Sequence, residues 1–290
     1  MSTKEKPVKI RGFGSGLVTA MLMTAALVGC NAANDSAVPA NCKPQHEFPT
    51  LQEGKLVVSS YTYAPSTIVR NDALGGIEGD LLRRVAKLEC LELKVVEQAA
   101  AGVIPAVESG RADLAAGDWY RTKDRAKILG LSDPIYQDAM VFVSKGGRVS
   151  EVDDLLGKEV GTFEGNLWNA DVKKLMNGNV KIFPSEAALF QDLATGRLDV
   201  AIDGSAGATN MIKVTGNSSL KMKVPSPDSR VGATTSPGQA GWPHAKDNEK
   251  LTAALNEDIG QLREDGVIAR VLKKYGLPAS AAEVGKPRLL

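Results

Sequence analysis

The chain lacks an excess of either charge. Its 35 basic residues are matched by 34 acidic ones with no long run of one sign, for a net charge of +1, so no basic stripe draws it to nucleic acid or to anionic lipid headgroups. Histidine is scarce: His46 and His244 are the two present, and neither has a cysteine or a second histidine at ligand spacing. That argues against a metal site. A nucleophile with a histidine partner is also missing, which weighs against covalent catalysis. Long apolar runs are few. The uncharged stretch from Gly12 to Gly29 contains Gly12, Gly14, Gly16 and several alanines and threonines, and makes a weak permanent membrane helix. No transmembrane helix or signalling module is read after the globular part, which weighs against a receptor's sensing domain.

What is present begins at the ends. Lys4, Lys6, Lys9 and Arg11 precede the uncharged stretch, as in an export signal. Leu27, Val28, Gly29 and Cys30 resemble the bacterial lipobox, in which small residues precede a cysteine that is diacylated and becomes the mature N-terminus. Two acyl chains suffice for stable anchoring. We therefore expect a lipoprotein signal peptide over 1–29, a lipidated Cys30, and a flexible tether over 30–50, small, polar and proline-containing in its first half. The protein would be exported and lipid-anchored, facing the periplasm or the cell exterior. Cys42 and Cys90 remain, an even count in an exported chain, and predict a disulfide, with two separate thiols as the alternative.

With 290 residues, 43% of them hydrophobic, the chain can bury one large core or two modest ones. Leu56 to Val58 makes a short strand followed by the polar aromatic turn Tyr61–Pro65. Gly76 to Leu81 reads as a strand giving way to a helix, with Asp80 as its N-cap, and Leu81, Leu82, Val85 and Leu88 on its apolar face. Leu91 to Val96 alternates as a strand. A further helix stops at Gly110, Ala112 to Ala116 is a buried strand, and the polar and aromatic residues Asp118 to Thr122 begin abruptly at its end, where α/β folds place function.

The segment Ala106–Asp118, AVESGRADLAAGD, is echoed by Phe190–Asp203, FQDLATGRLDVAID. In each, a helix ends in Ser or Thr, Gly and Arg, with an Asp two residues on and then an apolar strand. This repetition points to two similar α/β lobes. Each lobe places a polar loop at a strand end, so two loops facing across a cleft would grip one small ligand.

Gly110–Tyr136, together with the YAP turn at Tyr63, the GIEGDL step at Gly76 and the closing helices Leu251–Gly276, resembles the extracellular solute-binding proteins, family 3, which deliver polar amino acids to ABC importers. The resemblance covers roughly Gly54 to Gly276. It implies an α/β fold of periplasmic-binding-protein type II: two similar lobes joined by two crossing strands, with the ligand cleft between them. Lobe 1 would comprise 51–143 plus 232–276 and lobe 2 would comprise 144–231, with 277–290 a loose tail. The first crossing strand is expected at Met140–Val143 and the second at Val231–Thr235.

By the same resemblance Arg125 holds a ligand carboxylate, Asp203 accepts its ammonium group, and Tyr63 covers an apolar face. Asn166 stands where a hydroxyl residue is usual, at a helix N-terminus suited to an anion. Asp118, Trp119 and Tyr120 depart from the family pattern and, with Trp168, predict a reshaped acidic and aromatic wall that attracts a cation, unless both tryptophans are lobe packing. Arg121 argues the other way by neutralising Asp118, which leaves the ligand's charge preference open. The expected partners are a small amino or carboxylate ligand, the permease subunits of an ABC importer, and the membrane through the lipid anchor. We expect a monomer with no cofactor, no metal, no nucleic acid and no catalytic residue. The alternatives are a dehydratase-like enzyme on the same fold, with Asp118 or Glu164 as acid or base, and a ligand-sensing lipoprotein partner of a receptor.

Overall fold

The computed structural model describes residues 38–39 and 41–290. The expected leader and Cys30 lie outside the described residues. Among the described residues no helix is long and apolar enough to cross a membrane.

The first lobe opens with β1 (Lys55–Ser60), a β2–β3 hairpin (Ile68–Arg70, Ala73–Gly75), α1 (Gly76–Leu88), β4 (Glu92–Glu97), α2 (Ala100–Glu108) and β5 (Leu114–Ala116). β6 (Trp119–Tyr120), α3 (Lys123–Ile128), β7 (Leu129–Leu131) and β8 (Tyr136–Asp138) follow. The second lobe contains β9 (Met140–Lys145), β10 (Val160–Phe163), α4 (Asn169–Leu175), β11 (Val180–Phe183), α5 (Glu186–Thr195), β12 (Val200–Gly204), α6 (Ser205–Thr215) and β13 (Leu220–Lys223). The chain returns through β14 (Gly238–Gly241) and β15 (Pro243–Ala245) and closes with α7 (Glu249–Glu264) and α8 (Val267–Lys274).

Each lobe is built on a five-stranded sheet, in the orders β4-β1-β5-β15-β7 and β11-β10-β12-β9-β13. Three parallel strands, with the earliest in the middle, meet one antiparallel strand in both. The internal repeat explains how. Gly110 and Gly196 stop their helices in left-handed conformations, φ +67° and +79°, which glycine adopts at no steric cost. Three residues later, Asp113 accepts the Val57 N–H at 2.7 Å and donates its own N–H to the Val57 carbonyl. Asp199 does the same with Glu159. The Gly-Arg-x-Asp signature thus docks each lobe's third strand to the start of its first.

The cores follow the expected periodicities. Ile77, Leu81, Leu82 and Val85 of α1 pack on Leu56 and Val58 and on Leu255, Ile259, Ile268 and Leu272 of the closing helices. In β9 the alternation is period two: Met140 and Phe142 enter one core of the second lobe, and Val141 and Val143 the other. Among the described cysteines, Cys42 and Cys90 form a disulfide with Cα atoms 5.7 Å apart. In the chain-entropy account, closing a loop of that length contributes about 4 kcal/mol.

Several local expectations need correction. Asp80 is not an N-cap. α1 begins at Gly76 with Gly75 at its cap, and Asp80, one turn inside, instead meets Arg83, Lys274 and Tyr275. Val231–Thr235 is not a strand but a turn with a 3-10 segment at Gly232–Thr234, because the Thr234 hydroxyl bonds locally to Asp228 and Val231. The crossings run through β8 into β9 at Ala139 and back through β14, which pairs with both β6 and β8 in a small antiparallel sheet. Nor is the C-terminal tail loose. Gln239 in β14 donates to the carbonyls of Val284 and Lys286, and the Arg288 N–H donates back to Gln239.

Candidate ligand cleft between the lobes

The turn after β5 sets the first wall. Gly117 has φ +145° and Asp118 has φ +59°, a region non-glycine residues enter at some energetic cost. Glu78, fully buried in the first turn of α1, holds them there. Its carboxylate accepts the N–H groups of Gly117 at 3.1 Å and Asp118 at 2.5 Å, the Tyr136 hydroxyl and the Trp242 indole N–H. Burial raises Glu78 to about 7, while these four donors favour its charged form. A side chain at Gly117 would strike the Tyr61 ring.

So fixed, Asp118 lines a narrow cavity between the lobes. Its Oδ1 is buried without a hydrogen-bond partner. Burial, then the neighbouring Asp138 and Glu78, push its carboxyl well above the usual range. Trp119 and Tyr120 line the same cavity. α3 starts with Thr122, whose hydroxyl accepts the Arg125 N–H at 3.2 Å, and this short helix brings the Arg125 guanidinium over the Trp119 ring at 4.8 Å. The guanidinium donates to the Tyr120 carbonyl at 2.5 Å. Among the described residues no carboxylate lies within ion-pairing distance of it. Burial lowers Arg125 to about 10, so it stays charged at neutral pH.

Tyr61 and Tyr63 stack with ring centres 5.9 Å apart and close another side. The second lobe supplies Gly165, Asn166, Leu167 and Trp168. A guanidinium without a carboxylate partner and an acidic residue therefore line one interlobe cavity, a pair of groups that a small zwitterion could engage.

A family model for the bacterial extracellular solute-binding proteins, family 3, matches residues 56–278. The chain belongs to this family. A probable histidine-binding protein of Neisseria gonorrhoeae is 30% identical over 261 residues, covering 87% of this chain and 94% of its own. The lysine/arginine/ornithine-binding periplasmic protein of Escherichia coli K12 is 26% identical, covering 79% and 89%. Among solved structures, an ancestral arginine-binding protein bound to arginine superposes with a TM-score of 0.67 at 27% identity, covering 77% of this chain and 98% of its own.

In this solute-binding protein six of the seven ligand residues expected from sequence, Tyr63, Asp118, Trp119, Tyr120, Arg125 and Asn166, line the cavity. Asp203 is not on its wall. It sits behind Tyr63, whose hydroxyl donates to Asp203 Oδ1 at 3.0 Å, while Oδ2 has no partner. Burial raises it to about 7. The Asn166 amide is engaged within its own loop, donating to Thr162 and Phe163, and Trp168 is fully buried with its N–H on Thr162. Asn166 also precedes α4, which starts at Asn169, by three residues, so it does not stand at the helix start. Arg121 does not neutralise Asp118: its guanidinium turns to the Arg288 carbonyl. Glu164 is exposed and off the cavity wall.

Sequence reasoning missed a buried acidic group behind the tyrosines. Asp138 of β8 accepts the Tyr120 hydroxyl at 2.7 Å and, through its other oxygen, the Ser205 hydroxyl and the Ala206 N–H at the start of α6. Glu186 of α5 has a buried oxygen without a partner, and burial followed by Asp203 pushes it well above the carboxylate range. Gly204 and Gly207 make the room: a Cβ at either would stand 2.3 Å from a carboxylate oxygen, of Asp138 and Glu186 respectively. A charged residue inside the largely apolar IYQDAMVFV stretch was the available signal for Asp138. Glu186 gave none, since an acidic first helical turn is ordinary.

Proposed function

We propose that this solute-binding protein captures an amino acid with a cationic side chain and hands it to the permease subunits of an ABC importer, working as a monomer tethered outside the membrane by a lipid on Cys30. The observation that carries the reading is the pairing of Arg125 with Asp118 across one cavity. Arg125, without a carboxylate of its own, receives the ligand carboxylate through a charge-assisted bond that contributes about 1.5–3 kcal/mol. Asp118 and the aromatic wall of Trp119, Tyr61 and Tyr63 receive the cationic groups, by charge and by cation–π attraction. Behind them lie the buried carboxyl groups of Asp138 and Asp203, whose charged forms a bound cation would favour.

The names of the relatives, for histidine and for lysine, arginine and ornithine, agree with a basic ligand. The groups on the wall bind charge and show no nucleophile positioned beside a base, which favours a receptor over a catalyst. The test is a thermal-shift series on the purified protein with L-arginine, L-lysine, L-histidine, L-glutamine and L-glutamate, repeated with Arg125→Ala. A ligand of the closed state raises Tm by mass action. We expect the basic amino acids to raise it and Arg125→Ala to abolish the rise; a response unchanged in Arg125→Ala would sink the site.

A further inference from the structure

Outside the cleft, three side chains from distant parts of the chain converge where residues 42–46, inside the stretch expected to be a flexible tether, are instead fixed to the first lobe. His46, Glu89 at the end of α1 and Asp258 of α7 each bring one ligand atom within 4.8 Å of the other two. Glu89 and Asp258 are 3% and 1% exposed. The Glu89 carboxylate accepts the backbone N–H of His46 at 2.9 Å and lies 2.7 Å from His46 Nδ1. Glu257, next along α7, stands 3.0 Å from His46 Nε2 with its side chain largely in solvent. Asp258 is the anomaly, because both of its oxygens are buried and neither has a hydrogen-bond partner among the described residues.

A buried carboxylate with no donor and no cation is costly, and a second carboxylate beside it adds repulsion. The one imidazole has both nitrogens held, by Glu89 and by Glu257, and leaves nothing for Asp258. What the arrangement lacks is a centre of positive charge that all of them share. We infer that His46, Glu89 and Asp258 form a structural site for a divalent first-row cation of the Zn²⁺ type, with the fourth position left to solvent. The donor set decides the class: one imidazole nitrogen with carboxylate oxygens suits zinc and its neighbours, whereas calcium takes an all-oxygen shell.

The entry path is an open depression beside the site, lined by Gln45, His46, Glu257, Gly260, Gln261 and Glu264. Spacing along the sequence concealed the site, since 211 positions separate His46 from Glu257, the neighbour of Asp258. Its place gives it a role. The Cys42–Cys90 bond already ties the second half of the expected tether to the end of α1. A cation on His46, Glu89 and Asp258 adds α7 to the same junction and fixes how the lobe leaves its tether.

The experiment is calorimetric titration of the purified, chelator-treated protein with ZnCl₂, followed by melting with ZnCl₂ or CaCl₂ and with chelator. It is repeated for Asp258→Asn and His46→Gln. We expect one Zn²⁺ per chain, a rise in Tm that calcium does not reproduce, and a loss of affinity in each variant greater than about 10-fold, since loss of an outer-shell partner alone costs that much. Asp258→Asn removes one of two adjacent like charges, so it should melt in chelator no lower than the parent. His46→Gln, on a less buried segment, keeps the test decisive if the helix variant fails to fold. Absence of a binding heat, zinc binding that survives both variants, or an equal response to calcium would each overturn the assignment.

Discussion

Asp118 is suspended from Glu78, its N–H donating to Glu78 Oε1 at 2.5 Å. This one bond couples the first turn of α1 to the cavity wall, because Asp118 holds an unfavourable positive φ that its own side chain does nothing to stabilise. Glu78→Gln replaces one acceptor oxygen by an amide that turns a donor toward donors. We predict a loss of about 1–3 kcal/mol in urea unfolding, the cost of leaving buried donors unpaired. Calorimetry should also show weaker L-arginine binding as Asp118 relaxes out of the left-handed region. Full binding in a destabilised variant would show that Glu78 supports the lobe but not the site.

How much of this was legible follows from range along the chain. The Gly-Arg-x-Asp repeat was readable because its work is local: a glycine stop, three residues, and a carboxylate that meets the next strand. Arg125 was readable because the family motif and a short capped helix place it together. Asp80 was misread because the helix starts four residues earlier, where the Pro65 and Ser66 carbonyls accept the Ile77 and Glu78 N–H groups in place of a side-chain cap. Val231–Thr235 carried β-prone residues, yet threonine hydroxyls competing for nearby carbonyls won. Asp138, Glu186 and the His46 junction depend on crossings and on helix placement that no local pattern encodes.

Gly207 tests the acidic group independently of any ligand. A Cβ there would lie 2.3 Å from Glu186 Oε1 and 2.6 Å from the Tyr63 hydroxyl, distances that force one lobe to give way. We predict that Gly207→Ala, although favourable for helix propensity, separates Tyr63 from Asp203 and opens the cleft. Small-angle scattering of the parent and the variant, with and without L-arginine, measures this. An unchanged radius of gyration with arginine bound would contradict it.

The tail contributes through the crossing strands. Gln239, in the middle of β14, donates its amide to two tail carbonyls and accepts the Arg288 N–H, while the Leu290 backbone pairs with Arg121 and Lys123. Ending the chain after Glu283 leaves the buried Gln239 amide unpaired, at a cost of about 1–3 kcal/mol. At roughly 2–4 °C per kcal/mol for a protein of this size, we expect Tm to fall by several degrees, and Gln239→Leu in the shortened chain to recover part of the loss. A truncated chain that melts with the parent would return the tail to the status of an ornament.

The pH dependence follows from Asp203 and Glu186. Burial holds Asp203 near 7 and Glu186 well above the ordinary range, whereas both ionise near 4 in the unfolded chain. Between about 4 and 7 the native state therefore keeps protons that the unfolded state has released, and stability falls as pH rises through that window. His244, lowered by burial, runs the other way, so the comparison must be differential. Asp203→Asn keeps an acceptor for the Tyr63 hydroxyl and the Gly204 N–H and removes the titration. We predict that between pH 5 and 7.5 the parent loses a few degrees of Tm more than Asp203→Asn does. Its affinity for L-arginine should rise over the same interval, because an ionised Asp203 draws the cationic ligand more strongly. Parallel melting curves, with an affinity that ignores pH, would mean that the acidic group behind Tyr63 is neutral and structural and that Asp118 alone answers the ligand's positive charge.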